Sequence, residues 1–571
     1  MDFSLMEPQN AEHSYTTLSD EAINDLSLDF ILDALTEKRS ERPVLRGMLS
    51  KLPTDPETIR YRRDIFEDFL RFPKLRASMT ELVMKLADLR DLERFQMDSN
   101  DSVLWTLVNR LRAIDEYMTC ITMIRDCLTG LDIQSEGMCA LRDMVTSIPE
   151  ESGFDALKAD VDEMMSKARE VKSITIGVNL DSFLRPEYAG IVSLNDTKYS
   201  NPGLMSRFMK FTEGKDNLHK GVDNKSRRFH PSNPNNSKGT FAGLMVDAAA
   251  ATAVNHNSNH IDADNITGKD ALSDALRHQV SDIMSRTVAD IKNTLRKHIS
   301  VNAYSLTGIM PEVLCYNRWA ELTEKLIASG MPMCKPGILS SEERSCTFKD
   351  VYNLKLAINK MRGEEINIIT NDFDFNDERR IYILTGPNRG GKTIFTQAIG
   401  IAMLMAQWGV YIPAGSAEIS PCDNIFTHFP ADENETVDLG RLGEESQRLS
   451  KIFKTATRHS LLLLNESLAT TSVAEGVFIA KGVVKSMRYL GVRSIFNTHM
   501  HELATSVGEI NEAVEGESRV ESLITGIHGG ERSFKVIIAP PQGVSYAADI
   551  AKRYGVTFEQ IKNDIDGRSA D

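Results

Sequence analysis

Residues 381–393 read IYILTGPNRGGKT, and what this stretch must become organises the rest of the chain. An apolar, β-branched run (Ile381, Tyr382, Ile383, Leu384) enters a Gly-Pro turn at Gly386 and Pro387. Asn388, Arg389, Gly390, Gly391, Lys392 and Thr393 come next, and an apolar segment with helical spacing continues to about residue 408. This is G-x-x-x-x-G-K-[ST] between a strand and a helix, the setting in which that pattern cradles phosphate. The glycines let backbone N–H groups point into one concavity, and the helix N-terminus adds partial positive charge. Lys392 is placed to reach the β- and γ-phosphates, and the Thr393 hydroxyl to take a position on Mg²⁺. The ligands implied are ATP and Mg²⁺.

Length and composition bound the remainder. At 571 residues the chain exceeds a single core, and about 150 residues per domain allows three or four. Its 41% hydrophobic and 26% charged residues are those of a globular protein, and no apolar stretch approaches the ~20 residues that span a bilayer. No secretory signal is visible in MDFSLMEPQN. Seven scattered cysteines without a C-x-x-C pair fit buried thiols in a reducing, cytoplasmic compartment better than disulfides or zinc. A net charge of −15 argues against wholesale coating of nucleic acid, so any such contact needs a local basic surface.

Along the chain, residues 22–35 have weak helical periodicity. At 54–56, Thr54 or Asp55 can cap a helix that carries Pro56 in its first turn and Tyr61, Ile65, Phe66, Phe69 and Leu70 on its inner face. Leu104, Leu107, Leu111, Ile114, Met118 and Ile121 alternate steps of three and four, the seam of a long packed helix. A helical stretch at 154–171 precedes a β-like segment at 173–192. Leu272, Leu276, Val280, Ile283, Val288, Ile291 and Leu295 describe a second long amphipathic helix, and 319–327 a shorter one.

Between them, residues 201–267 are rich in Asn, Gly, Ser and Lys. From 205 to 238, eight Lys/Arg, among them Lys225, Arg227 and Arg228, stand against three acids. A phosphate-contacting loop with Phe208, Phe211 and Phe229 interleaved and a solvated insertion both fit this composition. His256 and His260 read as loop, with no third ligand to make a metal site. After Pro336 short strands alternate with helices, as in an α/β domain; 410–412, 460–464 and 493–497 are buried-strand candidates, and 372–380 reads as a polar turn.

Residues 460–466 read SLLLLNE, a buried parallel strand by texture, whose C-terminal end is where open α/β sheets put ligands. Glu466 is the candidate base for the water that attacks the γ-phosphate. Asn465 stands where an aspartate usually meets Mg²⁺ or its waters; an amide oxygen can still accept from a metal-bound water but adds no charge, so slow hydrolysis is expected. In RSIFNTHMHEL (493–503) a strand ends at Asn497, and His499 is placed to bond the γ-phosphate or the water; His501 reads as structural.

Together these residues resemble the MutS-type ATPases of DNA mismatch repair, a branch of the ABC ATPase class. The matching segments are TGPNRGGKT (385–393), YIPAGSAEI (411–419), IFT (425–427), TATRHSLLLLNES (455–467), FNTHMHEL (496–503) and GVSYAADIA (543–551). They cover about the last 210 residues. The resemblance implies an α/β P-loop ATPase domain at 341–571 behind a mostly helical core and lever region at 1–340. It also implies a head-to-head homodimer whose two composite ATP sites are each closed by a signature segment of the other subunit. Gly386, Asn388, Gly391, Lys392 and Thr393 match the phosphate loop, Glu466 the catalytic carboxylate and His499 the switch histidine. Asn371 takes the place of the asparagine near the adenine, and Ile368 that of an aromatic base-stacker.

The departures are specific. Asn465 replaces the aspartate, Arg389 the loop methionine, and the signature segment reads DLGRLGEES (438–446), with Gly440 for the serine and Glu445 kept. SLATTS replaces the Gly-rich continuation after Glu466. The chain length leaves no room for a mismatch-reading domain, and no appended nuclease is expected. Three functions fit: nucleotide-driven clamping on DNA of branched or other non-mismatch shape, a nucleotide-gated scaffold for a protein or ribonucleoprotein, or nucleotide binding without turnover.

Overall fold

In a computed structural model the described residues are 3–9, 12–97, 103–151, 154–169, 172–180, 182–183, 186–195, 197, 308–387, 389–430, 440–468, 473–528, 531–541, 552 and 554–568. The basic segment at 205–238, His256, His260, the expected helix at 272–295, Asn388, and Asp438 and Leu439 of the signature segment lie outside them. The chain divides into two compact units. One gathers Met1–Thr80, Gly130–Leu141 and Pro311–Asp571; the other Glu81–Thr129 and Arg142–Met310.

The first unit is built on a six-stranded mixed sheet, in the order Ile425–His428, Leu461–Asn465, Arg493–Asn497, Arg379–Thr385, Arg519–His528, Glu531–Ile538. The first five strands pair in parallel and the last is antiparallel. Strand Leu461–Asn465 is buried at every position, as its unbroken apolar run requires when both sheet faces are covered. Each such leucine contributes on the order of 2 kcal/mol by leaving water. Alternate residues serve opposite faces. Ile381, Ile383, Leu462, Leu464 and Phe496 join one core with Val484 and Met487 of helix Val473–Leu490 and Leu503 of helix His501–Thr505. Helix Lys392–Trp408, almost wholly buried, packs on the other face.

That helix also holds the N-terminal segment. The Gln407 amide donates to the carbonyls of Pro53 and Cys422 at 2.8 and 2.9 Å, and the Trp408 indole to that of Leu49 at 3.0 Å. Residues 1–80 therefore belong to this unit, which draws on both sides of the expected division near residue 340. Asp55 caps helix Pro56–Arg71 by accepting from the Thr58 amide at 2.7 Å, and Ile65, Phe66 and Phe69 of that helix are fully buried. Residues 22–35 form two helices, Asp20–Asp25 and Leu28–Leu35, broken at Ser27 in the left-handed region. A second, four-stranded sheet runs Gly337–Ile338, Ser416–Ile419, Cys346–Val351, Asn371–Phe375.

Two expectations change here, and one feature is new. Val410 and Ile412 are buried and Tyr411 partly so, but the segment is not a strand; Ile412 makes an isolated bridge to Cys334. Residues 371–375 form a strand where the polar composition reads as a turn. The antiparallel pair Arg519–His528 and Glu531–Ile538 has no counterpart among the sequence expectations.

In the second unit, helix Val103–Thr129 buries Leu111, Ile114, Met118 and Ile121 of the seam read from the sequence, and packs with helix Phe154–Arg169. Strands Ser173–Leu180 and Pro186–Asn195 pair antiparallel. No helix among the described residues is long and apolar enough to cross a membrane.

Candidate functional site

Three parallel neighbours, Leu461–Asn465, Arg493–Asn497 and Arg379–Thr385, end together: Asn465 pairs with Asn497, and Asn497 with Leu384. The residues just beyond the three strand ends therefore share one edge of the sheet, although Lys392 and His499 are 107 residues apart in sequence. After Leu384 the chain enters the phosphate loop. Gly386 takes φ +149 and Gly391 φ +87, and a Cβ on Gly386 would stand 2.0 Å from the Thr525 hydroxyl oxygen. Only glycine fits this approach of loop to neighbouring strand. Arg389, left-handed at φ 60, faces the cleft and is exposed.

Lys392, the first residue of the loop's helix, is 4% exposed. Its Nζ donates to the carbonyl oxygens of Gly386 at 3.0 Å and Pro387 at 3.2 Å, and lies 3.5 Å from His499 Nε2. Burial depresses its pKa to about 8, opposed by the negative charge of Glu466. His499 Nε2 lies 2.8 Å from Glu466 Oε1. A carboxylate only accepts, so Nε2 carries the proton of that bond. Lys392, Glu466 and His499 thus converge.

Thr393 Oγ1 donates to Asn465 Oδ1 at 2.9 Å, and Asn497 Nδ2 donates to the same oxygen. Both lone-pair directions of that oxygen are occupied in this arrangement. Hydroxyl and amide oxygens are the hard donors that suit Mg²⁺, which keeps several waters and takes the rest of its shell from phosphate. No group of three or more His, Cys, Asp or Glu that could hold a metal occurs among the described residues.

The edge opens into a cleft of about 720 Å³ whose lining includes Arg389 to Phe395, Glu466 and His499 together with Val351, Tyr352, Leu356, Asn367, Ile369 and Asn371. Ile368 itself is not among the lining residues. The Asn371 side chain, buried, holds the neighbouring strand: it accepts from the Val536 amide at 2.8 Å and donates to the Phe534 carbonyl at 3.5 Å. Phe534, left-handed at φ 55 and 41% exposed, reaches over the phosphate loop, close enough that a Cβ on Gly391 would meet its ring at 3.3 Å. Sequence reading missed Phe534 because its strand lies at the sheet edge and lacks a buried strand's apolar run.

The family model of MutS domain V matches residues 382–545, the span that contains every one of these elements from the phosphate loop onward. The MutS2 N-terminal domain model matches residues 54–328. The chain belongs to the MutS family. Similar curated proteins include the DNA mismatch repair protein MutS of Chlorobium chlorochromatii, 31% identical over 206 residues, which is 36% of this chain and 23% of that protein. The DNA mismatch repair protein MutS of Oleidesulfovibrio alaskensis is 32% identical over 201 residues, 33% of this chain and 21% of its own length. The DNA mismatch repair protein MutS 2 of Halobacterium salinarum is 28% identical over 193 residues, 34% and 22% of the two chains. The match therefore spans less than a quarter of these MutS relatives' own length.

Proposed function

We propose that this MutS-family chain binds and hydrolyses ATP in the cleft between the phosphate loop and the ends of strands Leu461–Asn465 and Arg493–Asn497, within an α/β P-loop domain of ABC type. The observation that carries the reading is the meeting of Lys392, His499 and Glu466 beside a glycine loop at a helix N-terminus. On nucleotide binding, Lys392 exchanges the carbonyls of Gly386 and Pro387 for phosphate oxygens. Glu466 takes the proton of the attacking water, and His499 holds the carboxylate in place. Thr393 and Asn465 would hold Mg²⁺, Asn465 through water once Thr393 turns away from it; the cation supplies charge neutralisation of the phosphates. Asn465 brings no charge of its own, which makes for slow turnover. Phosphate release by purified protein with ATP and Mg²⁺ tests this, and complete absence of nucleotide binding would overturn it.

At the level of the whole protein, the reading is a cytoplasmic homodimer with composite ATP sites that clamps on DNA by shape rather than by base sequence, in repair or recombination. It rests on family membership and on the local basic excess at 205–238. The net charge of −15 favours a second reading, a nucleotide-gated scaffold for a protein or ribonucleoprotein. Binding to duplex, branched and single-stranded DNA across a salt series separates them. The clamp requires salt-dependent binding to branched DNA that is lost when Lys225, Arg227 and Arg228 become Glu.

A further inference from the structure

The backbone that carries Glu466 sits in a conformation that side chains resist. Glu466 has φ 51 and Leu468 φ 65, two left-handed residues within three positions, neither of them glycine. The left-handed region crowds Cβ against the backbone, so such residues persist only where their surroundings over-determine them. Here the turn is held at three points. The Glu466 amide donates to the Asn497 carbonyl at 2.8 Å. The buried Ser467 hydroxyl donates to the His428 carbonyl at 3.1 Å and meets His428 Nδ1 at 2.6 Å. The Leu468 amide donates to the Glu445 carboxylate at 2.6 Å.

These holds come from different elements. Asn497 ends the neighbouring strand, and His428 ends the sheet-edge strand Ile425–His428. Glu445 stands on helix Gly440–Thr455, which is also tied to this edge by Arg448 donating to the Phe429 carbonyl at 3.3 Å. Because the Ser467 proton goes to the His428 carbonyl, His428 must donate from Nδ1, a neutral imidazole; burial, with Arg448 nearby, keeps its pKa at about 4. The serine–histidine contact is therefore present at all ordinary pH. Glu445 is the one charged hold and the only one of the three on a helix.

We infer that Glu445 is a positioning residue for Glu466: through the Leu468 amide it keeps the left-handed turn that aims the carboxylate at His499, so that helix Gly440–Thr455 sets the catalytic competence of the same chain's site. This rests on the ATPase reading of Glu466. Movement of the helix would release the Leu468 N–H, let the turn relax and draw the carboxylate away from the cleft, without touching the phosphate loop.

The test compares Glu445→Ala, Glu445→Gln and the double variant Glu445→Ala with Leu468→Gly in the full chain. Glutamine keeps an oxygen that accepts from the Leu468 amide, and glycine at 468 adopts positive φ without help. The alanine variant is expected to lose roughly tenfold or more in kcat with KM for ATP within about twofold, the glutamine variant to retain most activity, and glycine at 468 to restore the alanine variant. Wild-type kcat in the alanine variant would overturn the inference. So would losses of kcat and nucleotide affinity together that neither glutamine nor glycine repairs. A second readout is independent of turnover. The His499 ring resonances, which report its bond to Glu466, are expected to move in Glu445→Ala toward their positions in Glu466→Gln and to return in the glycine double variant. If the wild-type chain does not hydrolyse ATP but these resonances respond, the catalytic reading fails while the positioning stands; if they do not respond, the positioning fails.

Discussion

His499 and Glu466 meet at 2.8 Å across the ends of two adjacent parallel strands, with the Lys392 ammonium 3.5 Å from the same imidazole nitrogen. This cluster gives Glu466 a proton donor to lean on and leaves its second oxygen for water. Glu466→Gln is close in shape and cannot take a proton. Phosphate release is expected to fall by about 100-fold or more, the usual worth of a general base, while equilibrium binding of ATP persists. Single-turnover phosphate release beside a binding titration checks this; undiminished release would remove Glu466 from the reaction.

Asn465 offers one carbonyl oxygen to both Thr393 and Asn497. Asn465→Asp keeps the size, offers two oxygens to these donors and adds a negative charge beside Thr393. The Mg²⁺ concentration for half-maximal ATP turnover is expected to drop by roughly three- to tenfold, about 1 kcal/mol, the increment between neutral and charge-assisted hydrogen bonds. A Mg²⁺ titration of turnover in both proteins measures it, and an unchanged midpoint would separate residue 465 from the metal.

How much of this site could be read from the chain depends on where each part gets its specificity. The loop, strand Leu461–Asn465 and strand Arg493–Asn497 were legible because continuous apolar runs stop abruptly at polar residues, and a buried strand leaves that trace. Strand Glu531–Ile538 left none, since Phe534, Ile537 and Ile538 are exposed on an edge, and Phe534 was missed with it. Residues 410–412 misled for the complementary reason: a short apolar run marks burial without saying in which conformation. The His428–Ser467 and Glu445–Leu468 contacts are tertiary, and spacings of 39 and 23 residues carry no periodicity to betray them.

Arg493 is fully buried at the start of its strand and donates to the carbonyls of Ser420, Pro421 and His459 at 2.6, 3.0 and 3.0 Å. It is a splint between loops at the sheet end opposite the cleft. Arg493→Met would fill much of the volume and leave three carbonyls without their donor, at a cost of about 3 kcal/mol or more. Urea unfolding followed by the fluorescence of Trp319 and Trp408, both in this unit, is expected to show a lower midpoint. An unchanged midpoint would mean that water replaces the guanidinium freely.

The buried Lys392 makes two opposite pH dependences from one group. Its folded pKa of about 8 lies below the ordinary 10.5, because burial disfavours the ammonium more than Glu466 supports it. Between these values the unfolded chain binds more protons than the folded one, so this group's destabilising effect is full below pH 8 and is relieved as pH rises toward 10.5. The free protein should accordingly gain stability from this residue over that interval. Nucleotide affinity should run the other way, since phosphate oxygens pair only with the charged form. Above pH 8, binding must first return a proton to Lys392, so ATP affinity is expected to fall by up to tenfold per pH unit. Calorimetry at pH 9 in buffers of different ionisation heat should register close to one proton taken up per ATP bound, and the uptake should vanish in Lys392→Met. A proton count of zero in the wild-type chain would mean that the lysine is already charged in the free cleft, or that phosphate never reaches it.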